Sequence, residues 1–172
     1  IPDAEFSALV AYGGFPEPFL KRDRRFWTRW RELRRQQLVR GDLRDLTRLQ
    51  ELTLVELLAD LLARQAGAPL VYRNLAPVVG ASVDSVRRWI AALVFLHHGF
   101  LVRPWSRGVS RALRREPKWH PRDWSEVEDP GARAETMVAA RLLKATEGWT
   151  DLGFGRFELR YLRDKEKREK DF

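Results

Sequence analysis

Apolar residues recur at helical spacing over most of this chain and switch to alternation only near its end. Leu54, Leu57, Leu58, Leu61 and Leu62 make a dense stripe that predicts one helix. Thr53-Leu-Val-Glu56 has the spacing of a capping box at its start, and Gly67-Ala-Pro ends it. A short second helix runs from Tyr72 to Gly80, a residue free to turn the chain at positive φ. Ser82 stands where an N-cap belongs. The helix after it keeps Val83, Val86, Ile90, Leu93 and Val94 on one face, with His97 next in line. Gly99 stops that helix, and Phe100-Leu-Val-Arg103 leads into a strand. The order helix, helix, tight turn, helix, strand from Leu52 to Pro104 predicts a winged helix-turn-helix.

The flanks follow their own patterns. Ile1 to Ala11 predicts a helix capped by Asp3, with Phe6, Leu9 and Val10 on its apolar side. Tyr12-Gly-Gly-Phe-Pro-Glu-Pro-Phe-Leu predicts a defined turn, either a structural corner or a hinge or ligand-facing loop. Arg22 to Gln37 predicts a helix with Phe26, Trp27, Trp30 and Leu33 as its core side. Seven arginines lie between them, read as a solvated face or as phosphate contacts. Leu43, Leu46, Leu49 and Leu52 continue the helical period after Gly41. Trp119 to Pro130 has no readable period. Gly131 to Glu147 predicts a helix with Ala134, Met137, Val138, Arg141 and Leu142 in phase and Leu143 on the buried side. Phe157 to Arg163 alternates as a half-buried strand does. A charged connection, Asp164 to Glu169, then leads to a returning strand at Lys170-Asp-Phe172.

Charge changes this picture more than length does. The 172 residues carry a net charge of +8, which points to an anionic partner such as DNA. Arg73, Ser82, Asp84, Ser85, Arg87 and Arg88 are the candidate contacts on the helix-turn-helix. Arg103 and Arg107 are the candidate phosphate clamps beside the wing. Cysteine is absent, so disulfides and thiolate metal sites are excluded and a reducing cytoplasm is expected. No apolar run is long enough for a membrane helix. No His pair has metal-ligand spacing, and no phosphate-loop motif occurs. The chain begins with Ile and closes on what reads as a strand start, so it is expected to be a piece of a longer protein.

Several segments together resemble the C-terminal region of AAA-type ATPases of the DUF4143 family. They are Gly13-Gly-Phe-Pro-Glu17, Gly41-Asp-Leu-Arg-Asp-Leu46, Tyr72-Arg-Asn-Leu-Ala76 with Gly80-Ala-Ser-Val-Asp-Ser-Val-Arg-Arg-Trp89, Glu116-Pro-Lys118, Gly131-Ala-Arg-Ala-Glu135 and Glu169-Lys-Asp-Phe172. The resemblance implies a parent with an N-terminal P-loop domain that uses ATP and Mg²⁺, neither of them bound by this chain itself. It implies that 131–172 opens a PD-(D/E)XK-like nuclease domain, in which Glu135 and Asp171 match acidic metal-binding positions. The segment Trp119 to Trp124 departs from the family pattern, with Asp123 standing in for its usual Asp, and the Glu-x-Lys expected beyond Asp171 lies past the end of the chain.

The expected fold is therefore mainly α. A helical segment (1–50) leads to a winged helix-turn-helix (51–106), a linker (107–130) and an incomplete α/β segment (131–172). The expected function is noncatalytic DNA binding within an AAA-type ATPase. The alternatives are a module that couples the ATPase domain to a partner or to a subunit of a homo-oligomer, and a truncated metal-dependent nuclease.

Overall fold

The computed structural model describes residues 3–38, 51–105 and 116–162 in full, and the backbone of 163, 169 and 170. It is mainly helical, with a small mixed sheet, in agreement with the expected fold class. The first layer is α1 (Asp3–Tyr12), α2 (Pro16–Lys21) and α3 (Arg24–Gln37). Asp23 caps α3 by accepting from the Phe26 amide at 2.6 Å. Asp3 is a first-turn residue of α1 in the structure, where its charge suits the helix dipole.

The second layer is α4 (Leu52–Arg64), α5 (Tyr72–Val79) and α6 (Val83–Phe95), followed by β1 (Gly99–Pro104). Gly80 ends α5 in the left-handed conformation, as its position predicts. The capping box at Thr53 does not form. Helix α4 has already begun at Leu52, which puts Thr53 inside the first turn, and Glu51 precedes it without a side-chain cap. Helix α6 closes with His97 at φ 54, while the His98 amide donates to the Leu93 carbonyl and the His97 amide to that of Val94. The helix therefore stops at Phe95 and does not carry His97 on its apolar face.

The unreadable stretch becomes β2 (Lys118–Pro121) and a 3₁₀ turn at Trp124–Glu126. Helix α7 (Pro130–Asp151) follows, capped by Asp129, whose carboxylate accepts from Ala132 at 2.7 Å. Then come β3 (Arg160–Arg163), shorter at its start than the alternation from Phe157 predicts, and the short β4 (Glu169–Lys170), which returns antiparallel to it and begins at Glu169, a residue expected in the connection. The sheet order is β2-β1-β3-β4. Strand β1 is antiparallel to β2, with Gly99 opposite Pro121, and parallel to β3 at Arg103–Arg160. The β1–β2 hairpin and the C-terminal segment thus share one sheet.

The main core joins Val55, Leu58 and Leu62 of α4, Leu75 and Val79 of α5, and Val86, Trp89, Ile90 and Leu93 of α6 to Trp119 of β2. A smaller cluster joins Phe100, Val102, Ala139 and Tyr161. Leu57 falls outside the core at 42% exposure because Val55 takes the inner position. Phe6, Leu33 and Val138 are likewise exposed. On α7 the buried positions are Thr136 and Ala139, one step round from the predicted set. No helix among the described residues is long and apolar enough to cross a membrane. Arg107, Asp171, the leucines at 43, 46 and 49, and the connection after Asp164 lie outside the described residues.

Candidate nucleic-acid interface

Ser82 holds the N-terminus of α6 as its position predicts, accepting from the Ser85 amide at 3.0 Å. Its hydroxyl also donates to Ser85 Oγ at 3.1 Å, so the polar atoms of both serines are engaged with each other and the cap. The first two turns of α6 bury Val86 and Trp89 and turn Asp84, Arg87 and Arg88 outward. The side chains of those three are 92%, 63% and 60% exposed. Arg87 lies 3.9 Å from Asp84 and places its guanidinium 5.4 Å from the Tyr72 ring centroid. That contact brings α5, with the exposed Arg73, alongside the outward face of α6. Arg88 reaches Glu51 at 3.4 Å, and the same carboxylate accepts from the Trp89 indole at 3.0 Å. Exposed ion pairs of this kind are worth little and yield readily to a stronger anion. Arg103 is exposed on β1.

Glu135 stands in a different environment. Its carboxylate lies 3.1 Å from Lys118 Nζ and 3.8 Å from His120 Nε2. The side chain of Lys118 is 4% exposed and that of His120 is fully buried. His120 also bonds Thr136 through Nδ1 at 3.1 Å and stacks on Phe100 at 5.4 Å. The turn after α4 crosses directly over this group. At Gly67 the backbone has φ +77, which favours glycine, and a Cβ there would lie 2.7 Å from Glu135 Oε2 and push that carboxylate aside. Among the described residues no group of three His, Asp or Glu side chains is placed to hold a metal ion. An ammonium and an imidazole stand against the Glu135 carboxylate, which fits an ion pair better than a divalent cation.

Sequence reasoning missed a third cluster. The Trp27 indole donates to Ser125 Oγ at 2.9 Å, and Ser125 Oγ donates to Asp123 Oδ1 at 2.6 Å. The Gly-Gly corner carries this cluster, because a Cβ on Gly13 would lie 2.2 Å from Asp123 Oδ1. The arginines of α3 are not a freely solvated face. Arg24 and Arg31 lie 4.3 and 4.6 Å from the Trp27 ring, and Arg34 lies 3.7 Å from that of Phe15. Arg35 pairs with Asp60 of α4 at 2.6 Å. Arg31, Arg34, Arg35 and Arg64 face Asp60, His98 and Glu126 around a cleft of about 200 Å³. The readable signal was the interleaving itself, since rings three and four residues from arginines on a helix are within stacking reach.

Burial, with the Asp123 carboxylate nearby, pushes the Glu126 carboxyl up to about 7. Burial, with Arg34 and Arg35 nearby, pushes His98 down to about 4. The two act in opposite directions on stability. A carboxyl raised in the folded state contributes stability that is fully present below its ordinary pKa of 4.5 and is lost as pH rises toward 7. A histidine lowered in the folded state costs stability below its ordinary 6.5. Glu126→Gln isolates the first effect. The variant is expected to gain stability relative to the parent as pH rises from 5 to 8, read as the difference between their urea midpoints. A difference independent of pH would mean that Glu126 is ionised throughout this range.

Residues 3–125 match the family described as "Domain of unknown function (DUF8612)", and the chain belongs to that family. The match runs from the start of α1 into the 3₁₀ turn, so it takes in the Gly-Gly corner, the three helices of the second layer and the β1–β2 hairpin. No curated protein and no solved structure matches the chain.

Proposed function

We propose that this chain binds duplex DNA without catalysing a reaction, using α4, α5, α6 and the β1–β2 hairpin as a winged helix-turn-helix. The supporting observation is the N-terminal half of α6, anchored by Val86 and Trp89 while Arg87 and Arg88 remain exposed beside Arg73. In this reading α6 enters the major groove. Arg73, Arg87 and Arg88 then meet base edges or phosphates, while Arg103 and Arg107 hold the backbone beside the wing. Asp84 would disfavour phosphate and favour a cytosine amino group in its place. On the resemblance of its motifs, the chain would follow the P-loop domain of a cytoplasmic AAA-type ATPase of the DUF4143 family, with ATP and Mg²⁺ bound by that domain.

Fluorescence anisotropy with a short duplex at several salt concentrations tests the reading. Arg87→Ala with Arg88→Ala is expected to weaken binding and to reduce the salt slope by about 1.8, roughly 0.9 for each lost phosphate contact. An unchanged affinity and slope would remove α6 from the interface.

A second reading is a module that couples the ATPase domain to a partner or to another subunit of a homo-oligomer. It is favoured by the pairing of Arg88 with Glu51 and by Phe95, which is 72% exposed at the end of the same helix. The third reading, a metal-dependent nuclease remnant through Glu135 and Asp171, has the Lys118 ion pair against it.

A further inference from the structure

The outer side of the Gly-Gly corner forms one wall of a second basic groove, separate from the N-terminal half of α6. The opposite wall is the middle of α7. Arg141 and Lys144 stand three residues apart on that helix, so both occupy one face. Arg122 reaches the groove from the turn after β2, and Arg34 from α3. Three separate elements thus supply four permanent cations, against one acid, Glu147. The cleft around Arg31 and Arg35, which Arg34 also lines, differs in this respect, because its arginines are balanced by Glu32, Asp60, Glu126 and Glu128, so the excess beside α7 comes mainly from Arg141 and Lys144. The groove beside α7 has the larger uncompensated charge.

Its polar groups are only partly engaged. Arg122 pairs with Glu147 at 3.3 Å through one terminal nitrogen. Its Nε is buried without a hydrogen-bond partner among the described residues. Arg141 leans over the Trp124 ring at 5.3 Å, and both Arg141 and Lys144 are exposed. Phe15 and Trp124 supply the aromatic lining of the groove. Apolar lining beside these cations strengthens their pull on an anion, because the field is less screened than in water. The volume is about 480 Å³, within the range of small-molecule sites and larger than inorganic phosphate alone requires. A neighbouring, mostly apolar groove of about 470 Å³, lined by Leu9, Pro16, Phe19 and Leu20 and by Glu5, whose carboxylate is paired with Arg22, shares Gly14 and Arg141 with it.

We propose that this double groove binds an organic phosphate ester. The phosphate sits among Arg34, Arg122, Arg141 and Lys144, and the apolar or ring portion lies toward Phe19 and Leu20. Guanidinium forks match phosphate oxygens two at a time, and a dianion answers the charge excess of the site. A 5′-nucleotide has both parts, whether free or as the phosphorylated end of a single strand. This goes beyond duplex recognition by α6 and uses none of its residues.

The test is isothermal titration of the full 172-residue chain with adenosine 5′-monophosphate, with adenosine, and with a 5′-phosphorylated single-stranded pentanucleotide. Binding of the monophosphate that exceeds that of adenosine by roughly tenfold or more is expected. Arg141→Glu with Lys144→Glu should reduce it by at least about tenfold and leave duplex binding as it was. Both substituted residues are exposed, so the fold is retained, which circular dichroism checks. Arg87→Ala with Arg88→Ala should leave monophosphate binding intact, so failure of the duplex reading is distinguishable from failure of this one. A pentanucleotide bound more tightly than the monophosphate assigns the site to strand ends, and equal affinity assigns it to free nucleotide. The proposal is overturned by no monophosphate binding at millimolar concentration, by equal binding of adenosine, or by affinity that survives the double charge reversal.

Discussion

Replacement of Glu135 by alanine is expected to lower the unfolding free energy by about 3 kcal/mol, the low end of the cost of breaking a buried ion pair. The low end applies because the Glu135 side chain retains 22% exposure. Lys118 does not share that relief, since its side chain is 4% exposed and the Glu135 carboxylate stands 3.1 Å from its ammonium. Loss of that carboxylate takes a close counter-charge from a buried ammonium, between β2 and α7, and opens space under Gly67. Glu135→Leu combined with Lys118→Met removes both charges at similar volume and should recover most of the loss, because the desolvation cost disappears with the attraction. Urea unfolding of Glu135→Leu, Lys118→Met and the double variant gives the coupling directly. A Glu135→Ala variant within about 0.5 kcal/mol of the parent would mean that water reaches the pair and screens it. A clear gain in stability would point the other way, to an acid held at a cost for binding or chemistry.

The three helices of the second layer were legible because their signals are local. Gly80 and Ser82 fix a turn through their own backbone preferences, and the buried face of α6 follows from a 3.6-residue period. Phase was less legible than period. Leucine occupies so many positions in α4 that both Leu57 and Leu58 fit a stripe, and only the position of Trp119 and the other helices decides which is buried. The failure at 119–126 has a clear physical cause. All four residues of β2 are buried, so no alternation marks it as a strand. Two of those four are Lys118 and His120, and partners that make their burial tolerable, Glu135 and Thr136, are 16 or 17 residues away. The Asp123 cluster has the same character, since Trp27 meets Ser125 across 98 residues. The candidate DNA contacts were found as residue types on a helix surface, but their actual partners, Glu51 and Tyr72, were not predicted. Those contacts depend on how α4 and α5 pack against α6.

Trp119→Ala is expected to be the most damaging single substitution in the family-matched region, at about 3–5 kcal/mol. Trp119 is 1% exposed and, with Leu70, comes to the main core from outside the three helices. Its indole fills the space between α4 and the start of β1, and it lies so close to Gly99 that a Cβ there would be 2.2 Å from its Cζ2. Its carbonyl accepts from the Gly67 amide at 2.9 Å, which straps the turn after α4 onto β2. A domain of this size has about 5–15 kcal/mol in all, so the loss should leave the variant partly unfolded near 37 °C. Thermal unfolding by circular dichroism, with duplex binding measured alongside, reads both consequences. Binding should fall in proportion to the folded fraction and recover at low temperature, since Trp119 is remote in role from the arginines of α6. Gly99→Ala separates packing from a general loss of hydrophobicity. In the parent it should destabilise by about 1–3 kcal/mol through overpacking, whereas in the Trp119→Ala background the indole clash is gone and only the His120 carbonyl oxygen, 2.8 Å from the added methyl, remains, so the penalty should shrink without vanishing. Equal penalties in the two backgrounds would assign the cost of the methyl to the His120 carbonyl oxygen, whereas a Trp119→Ala cost below about 1 kcal/mol would mean that the three helices hold their core without β2. The hairpin would then be an appendage of the helix-turn-helix rather than the element that closes it.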